Sequence, residues 1–210
     1  MNDRDKELLL QIYGEEYGPD AGPWNTSAKS KYLEYRITAF FEENFSVNPA
    51  DKICNIGIGA GNWDRYLSYR PKSGTLTSVD IDSECCKLFE LKIENENNPS
   101  LIKVINSDVL LLNNLDNSFD IVTMVGSTRL ESGLFEKIII KAIKLVKPGG
   151  GLYYQTLDKD EGKEFFEEIC KNNSCRIKKY ELDTKYGLKA QYFKAVKEID
   201  DNQILKAISG

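Results

Sequence analysis

The sequence contains no histidine. Because the ordinary pKa of histidine lies near neutrality, it is the side chain that most often removes a proton from a substrate at physiological pH. A reaction that relies on histidine for that step is therefore excluded, and tyrosine, aspartate, glutamate or a lysine of perturbed pKa are left for the role. The acidic residues show no cluster spaced to hold a catalytic metal ion, so we predict no metal site.

Long apolar stretches and an excess of basic residues are also missing. No apolar run approaches the length needed to span a bilayer, and the acidic, amphipathic residues 1–18 differ from a signal peptide. We therefore expect a cytoplasmic protein without membrane contacts. The formal net charge of −5 argues against a protein that a broad basic surface would hold on nucleic acid.

Cysteine is present, but not in a pattern that binds metal or forms a disulfide framework. The five cysteines are Cys54, Cys85, Cys86, Cys170 and Cys175. Their odd number and the adjacent pair fit neither arrangement, so we expect reduced, structural thiols. With 210 residues, of which 41% are hydrophobic and 29% charged, the chain is typical of one globular domain with a full core.

The most informative segment holds three glycines at alternate positions, Gly57, Gly59 and Gly61. It follows a predicted buried strand, 52–56, and precedes a predicted helix with Asn62 as its N-cap. Glycine lets a ligand approach the main chain closely, and the first amides of a helix favour an anionic group. This strand, loop and helix therefore predict a ligand-binding loop. The alternative is a tight connection without a ligand.

Strand and helix patterns alternate along most of the remaining chain. We predict strands at 74–82, 100–108, 118–126 and 151–157, helices beginning at Ser83 and spanning 131–146 and 160–172, and two final strands at 176–183 and 188–198. Because parallel strands need right-handed crossovers, this order predicts an α/β fold. The sheet is doubly wound, mostly parallel and seven-stranded, with a C-terminal antiparallel hairpin at one edge.

The pattern also divides the chain into three parts. Residues 1–49 form an N-terminal helical cap, with helices over 4–13 and 27–44 separated by a loop rich in glycine and proline. Residues 50–198 form the sheet domain, and residues 199–210 form a tail.

In a doubly wound sheet, ligands lie beyond the carboxyl ends of the strands, where the glycine loop, Asp80 and Gly126 are expected to meet. Two cofactor classes suit this arrangement, namely nicotinamide or flavin dinucleotides and S-adenosylmethionine. Both contain an adenosine, and the carboxylate of Asp80 can accept hydrogen bonds from its ribose hydroxyls. The dinucleotide fingerprint needs a third glycine where the sequence has Asn62, which disfavours a pyrophosphate site.

Four segments in order resemble those of class I S-adenosylmethionine-dependent methyltransferases, a resemblance that covers residues 50–197. They are NIGIGAG (55–61), SVDID (78–82), NSDV (106–109) and LVKPGGGLYY (145–154). The resemblance implies that the glycine loop, with Asn55, surrounds the methionine part of the cofactor and that S-adenosylhomocysteine is the product. It further implies that Asp80, beside Ile81, holds the ribose and that Asp108 and Val109 receive the adenine. Gly126, at the end of the fourth strand, is a further candidate for cofactor binding.

The first segment departs from the family, which usually has an acid at the position of Asn55 to help bind the methionine ammonium. Asparagine can accept a hydrogen bond but lacks the charge. Either binding is weaker, or another acid substitutes. Arg36 is a candidate for binding the methionine carboxylate or a substrate anion, with a solvated helix arginine as the alternative. Asp82 is interpreted as the N-cap of the next helix.

Methyl transfer from a sulfonium requires a nucleophile held in line with the methyl group and away from water. Without histidine, we favour an acceptor that is already nucleophilic near neutral pH, such as an amine or a carboxylate, or a phenol activated by a carboxylate. No N-P-P-Y motif follows the fourth strand, and no inserted domain suited to a macromolecule is evident. We therefore predict transfer to nitrogen or oxygen of a small molecule, such as a metabolite, natural-product intermediate or short peptide.

Five residues are candidates for the acceptor pocket. Tyr13, Tyr17 and Trp24 lie in a segment rich in glycine and proline and are interpreted as an aromatic lid, while Ser127 and Arg129 follow the fourth strand. The alternative roles are packing of the N-terminal helix on the core and a helix-capping turn.

Three other functions stay open at this stage. One is methylation of protein or RNA, and another is a catalytically silent, cofactor-binding partner subunit, which Asn55 and the absent histidine motivate. The third is a nicotinamide oxidoreductase. The oligomeric state, monomer or homodimer, is not fixed by the sequence.

Overall fold

The computed structural model describes residues 28–94, 96, 101–126 and 132–199. The predicted first helix, the loop that follows it and residues 200–210 lie outside these ranges. Within the described part of the chain, no helix has the length and apolarity required to cross a membrane.

Seven strands form one sheet in the order β3-β2-β1-β4-β5-β7-β6. They are β1 Lys52–Ile56, β2 Thr75–Asp80, β3 Leu101–Asn106, β4 Phe119–Val125, β5 Val146–Thr156, β6 Cys175–Asp183 and β7 Ala190–Lys197. Strands β1 to β5 pair in parallel, whereas β7 runs antiparallel to both β5 and β6. The predicted fold, including the antiparallel hairpin at one edge, is confirmed.

Five α-helices accompany the sheet in the described ranges. They are α1 Ala28–Asn44, α2 Asn62–Ser68, α3 Ser83–Glu94, α4 Phe135–Leu145 and α5 Lys163–Asn172. The predicted helices over 27–44 and from Ser83 are confirmed, and Asp82 caps α3 by accepting the backbone amide of Glu84 at 2.7 Å.

Helices cover both faces of the sheet because successive side chains of a strand point to opposite sides. In β5, Tyr153 is fully buried against Phe40 and Phe41 of α1. Its neighbour Tyr154 packs instead against Phe166 of α5. The central strand β1 is buried at all positions after Lys52, as expected for a parallel strand covered on both faces.

Two local predictions are wrong. Asn62 is the first helical residue, not the N-cap, because Gly61 adopts a φ of 76° that glycine reaches without strain. The fifth strand, predicted at 151–157, begins earlier, at Val146 directly after α4, so that 147–150 belong to β5. A Cβ at Gly150 would lie 2.7 Å from the Asp120 carbonyl oxygen, so glycine permits a close approach of two strands there.

Helix α1 is tied to the terminal hairpin. The Arg36 guanidinium lies 3.1 Å from Asp183 and 2.9 Å from Glu181, and Tyr32 donates a hydrogen bond to Asp183 at 2.6 Å. Arg36 is therefore neither a solvated helix residue nor part of a ligand site in this structure, but an anchor between the first described helix and β6.

Arg36→Met should lower the free energy of unfolding by roughly 1 to 3 kcal/mol, because it leaves the largely buried Asp183 carboxylate without its cation. Urea denaturation checks this. Arg176→Met is the matched control on β6, since Arg176 forms an exposed ion pair with Glu198, and it should change stability little. Equal effects of the two substitutions would contradict the anchoring role.

Candidate functional site

The carboxyl ends of the parallel strands surround a cavity of about 790 Å³. Its wall contains Gly57, Gly59, Gly61, Asp80, Ile81, Asp108, Val109 and Gly126, eight of the nine residues predicted to bind the cofactor. The sequence placed them on four separate segments, and the sheet order brings these segments together because β1 lies between β2 and β4. The cavity is therefore at the switch point of the sheet.

Asp80 fixes the glycine loop. Its Oδ2 accepts backbone amides from Ile58 at 2.6 Å and Gly59 at 3.3 Å, and its Oδ1 accepts the amide of Asp82 at 2.9 Å. Each carboxylate oxygen can accept more than one hydrogen bond, so the same group can also receive ribose hydroxyls. Sequence reasoning assigned Asp80 the ligand role and missed its structural one.

The ends of β2 and β3 are also joined by side chains. Asn106 Nδ2 donates to the Ile81 carbonyl at 3.0 Å, and Asp108 caps a short 3-10 helix, Val109–Leu111, by accepting the Leu110 amide at 2.9 Å. Asp108 and Val109 are thus held on the cavity wall at the end of β3.

Asn55 is placed differently from the other predicted residues. It is fully buried behind the glycine loop and does not line the cavity. Its Nδ2 donates to the Gly57 carbonyl and to Asp64 Oδ2, both at 2.8 Å, and its Oδ1 accepts from Thr123 Oγ1 at 2.7 Å. Any effect of Asn55 on a ligand passes through the loop that it supports.

Sequence reasoning missed Asp64. This residue is fully buried on the inner face of α2, and burial raises the pKa of its carboxyl to about 7, although the hydrogen bond from Asn55 opposes the rise. The available signal was its position three residues before the buried Leu67, which puts an acid on the apolar side of the helix.

Two helices, α1 and α2, also line the cavity. Helix α1 contributes five lining residues, and α2 contributes two aromatic ones. They are Ser30, Leu33, Glu34, Ile37 and Thr38 from α1, and Trp63 and Tyr66 from α2. The two aromatic rings stack with centroids 5.1 Å apart, and Trp63 Nε1 donates to Thr123 Oγ1 at 3.2 Å. Within the described residues, this pair of aromatic side chains in the wall thus comes from α2, for which the sequence predicted a helix and no side-chain contact with a ligand.

The predicted acceptor-pocket residues Tyr13, Tyr17, Trp24, Ser127 and Arg129 lie outside the described residues. Of the candidate bases in the described lining, Tyr66 donates to Glu42, and burial raises the pKa of its hydroxyl well above the ordinary value. Tyr66 therefore stays protonated near neutral pH. Over the ranges that the structure covers, no group of three metal-ligating side chains occurs.

The charge of the cavity wall has one sign. Among the described residues that line it, the acids are Glu34, Asp80, Asp82 and Asp108, and there is no lysine or arginine. A wall of this kind attracts cations and repels anions.

A family model of a methyltransferase domain matches residues 53–150. A search of curated protein sequences found no significant match.

Solved structures share the fold. The [4+2]-cyclase SpnF is 15% identical, with a TM-score of 0.72, and the match covers 93% of each chain. A proposed sarcosine dimethylglycine methyltransferase from Galdieria sulphuraria is 14% identical, with a TM-score of 0.70, and 93% of this chain and 98% of that chain are covered. Magnesium protoporphyrin IX methyltransferase from Synechocystis PCC 6803, solved with bound S-adenosylmethionine, is 15% identical, with a TM-score of 0.64 and coverages of 92% and 97%.

Asp64→Asn tests the buried carboxyl. A carboxyl whose pKa rises from 3.8 to about 7 on folding stabilises the protein below the lower value, and this contribution is lost as pH rises through the higher one. As the pH rises from about 5 to about 8, wild type should therefore lose this contribution, while D64N does not. The free energy of unfolding of D64N should rise by roughly 1 to 4 kcal/mol relative to that of wild type over this interval, as measured by urea denaturation at each pH.

Asp120→Asn is the isosteric control. Burial opposes ionisation of Asp120, but hydrogen bonds from Lys147 and from the Lys52 amide outweigh it and hold the pKa below 3.8. The stability difference between D120N and wild type should consequently stay constant over the same pH interval. If the difference between D64N and wild type is equally constant, Asp64 does not have a raised pKa.

Proposed function

We propose that the chain is a class I S-adenosylmethionine-dependent methyltransferase and that it transfers the methyl group to a nitrogen or oxygen atom of a small molecule, since a family model of a methyltransferase domain matches residues 53–150. The observation that carries this proposal is a cavity whose wall has two unlike parts. One part, named here the cofactor end, is formed by the glycine loop and the ends of β2 and β3, and the other, the α1 end, by α1 with Trp63 and Tyr66. Its volume of about 790 Å³ lies in the range of small-molecule sites.

The residues present fit the cofactor. The glycine loop would surround its methionine part, Asp80 would accept the ribose hydroxyls, and Asp108 and Val109 would receive the adenine. When bound, the cofactor supplies an electrophilic methyl group on a sulfonium. The chain itself contributes binding, orientation and exclusion of water, the effects that favour an in-line displacement.

The acceptor would lie at the α1 end. Because the described wall carries carboxylates and no basic side chain, it favours an amine over a carboxylate as the acceptor. Glu34 is the acid that α1 contributes. It forms an exposed ion pair with Lys31 at 3.3 Å, and on exchange of this partner it could hold an ammonium group or accept the proton that an amine loses. The net charge of −5 likewise gives no support for an RNA acceptor.

A transfer assay tests the proposal. The protein is incubated with methyl-labelled S-adenosylmethionine and panels of small amines, carboxylic acids and phenols, with mixed peptides, whole protein and RNA as comparators. We expect label in a small amine. Label found in protein or RNA alone would overturn the proposal, and so would turnover of a substrate without label transfer, since a cyclase shares this fold.

Asp80→Ala should weaken S-adenosylmethionine binding by roughly 1 to 3 kcal/mol, because it removes both the proposed ribose acceptor and the anchor of the glycine loop. Isothermal titration calorimetry measures the change. Asp82→Ala is the control on the same wall; it removes the cap of α3 and should lower thermal stability with little effect on affinity. Unchanged affinity in D80A would exclude the assigned role.

Glu34→Gln should raise the KM for an amine acceptor by roughly 3- to 10-fold, because it removes a charge at the proposed acceptor end. Cofactor affinity should stay unchanged. Glu43→Gln, an exposed change on the same helix outside the cavity lining, should alter neither. Steady-state kinetics with both variants separate the two effects, and a rise in KM shared by both variants would argue against an acceptor contact.

A further inference from the structure

We propose that Asp64 supplies, from helix α2, the negative charge that position 55 lacks, and that it positions the glycine loop for the positively charged cofactor by acting through Asn55. This inference concerns the cofactor end of the cavity and does not depend on the identity of the methyl acceptor.

Two hydrogen bonds connect Asp64 to the loop. Asp64 Oδ2 accepts from Asn55 Nδ2 at 2.8 Å, and the same nitrogen donates to the Gly57 carbonyl at 2.8 Å. Gly57 lines the cavity, whereas Asp64 and Asn55 are fully buried behind it. A change in the charge of Asp64 therefore reaches the cavity through one side chain.

The network also explains why position 55 holds an amide. Thr123 Oγ1 donates to Asn55 Oδ1 at 2.7 Å while it accepts from Trp63 Nε1 at 3.2 Å, which turns the Asn55 nitrogen towards Asp64 and Gly57. Those two partners are both acceptors, so residue 55 must donate. A carboxylate at position 55 would face two other oxygen acceptors. The acid of this network is instead Asp64, on helix α2.

Only part of the hydrogen-bonding capacity of the Asp64 carboxylate is used within the protein. Its Oδ1 and the neighbouring Ser78 Oγ are buried without a hydrogen-bond partner. Neither Cys54 on β1 nor Asp80 at the end of β2, the ionisable groups that interact with it in the described ranges, can neutralise its charge. Arg65, the next residue, pairs with Glu96 instead.

A buried carboxylate with an unpaired oxygen costs free energy when it ionises, unless a cation approaches. S-adenosylmethionine brings such a cation, because its sulfonium and ammonium groups outnumber its single carboxylate. We therefore expect cofactor binding and ionisation of Asp64 to favour each other, so that binding becomes tighter as the pH rises through neutrality.

Calorimetric titration with S-adenosylmethionine at about pH 5.5 and about pH 8 tests this coupling. At the higher pH, Asp64→Asn should bind about 10-fold more weakly than wild type, which corresponds to one pKa unit, and at the lower pH the two should agree within about 2-fold. The amine of the cofactor also titrates in this range, but it affects the affinity of both proteins equally, so it cancels in the ratio of the two affinities. Asp120→Asn, the same chemical change at the opposite end of the sheet, should match wild type at both pH values.

Equal affinity of D64N and wild type at both pH values would overturn the proposal, as would a pH-independent loss, which would mean a purely structural role. A second measurement uses wild type alone. Titrations at about pH 6.5 in buffers of different ionisation enthalpy should show release of a fraction of a proton on cofactor binding. Absence of proton release would also reject the coupling.

Discussion

The carboxylate of Asp80 holds the candidate site together by accepting backbone amides from two chain segments. Three glycines with positive φ values, Gly57, Gly59 and Gly61, would leave the loop after β1 with many accessible conformations. Hydrogen bonds from Ile58 and Gly59 to the end of β2 select one of them. The bare backbone that lets a ligand approach is thus kept in place by the residue that would bind the ligand's ribose.

The loop has a second support behind it. Asn55, Thr123 and Asp64 form a buried polar layer that joins β1, β4 and α2 directly under the first glycine. Buried polar groups are costly unless they are paired, and here one carboxylate oxygen is left unpaired. The cavity wall therefore combines rigid backbone with an electrostatic imbalance, and a positively charged ligand would correct that imbalance.

The sequence predicted the elements whose signals are local. Apolar periodicity gave the strands and helices, and the motif segments gave the glycine loop, Asp80 and Asp108, which all lie on the cavity wall. The missed features depend on contacts between distant residues. Nothing near Arg36 in the chain reveals its partners on β6, and the place of Asp64 under Asn55 follows only once α2 packs on the sheet. The exact start of a helix at Asn62 depended on a single backbone angle of Gly61.

The anchor between α1 and β6 has a consequence for the order in which the site is assembled. The Arg36 and Asp183 side chains that meet in it are separated by 147 positions in the sequence. During synthesis, the glycine loop can meet β2 and β4 long before β6 leaves the ribosome, because the chain is made from its N-terminus. The cofactor end of the cavity can therefore form first, and α1 acquires its final position only when the last hairpin has been added.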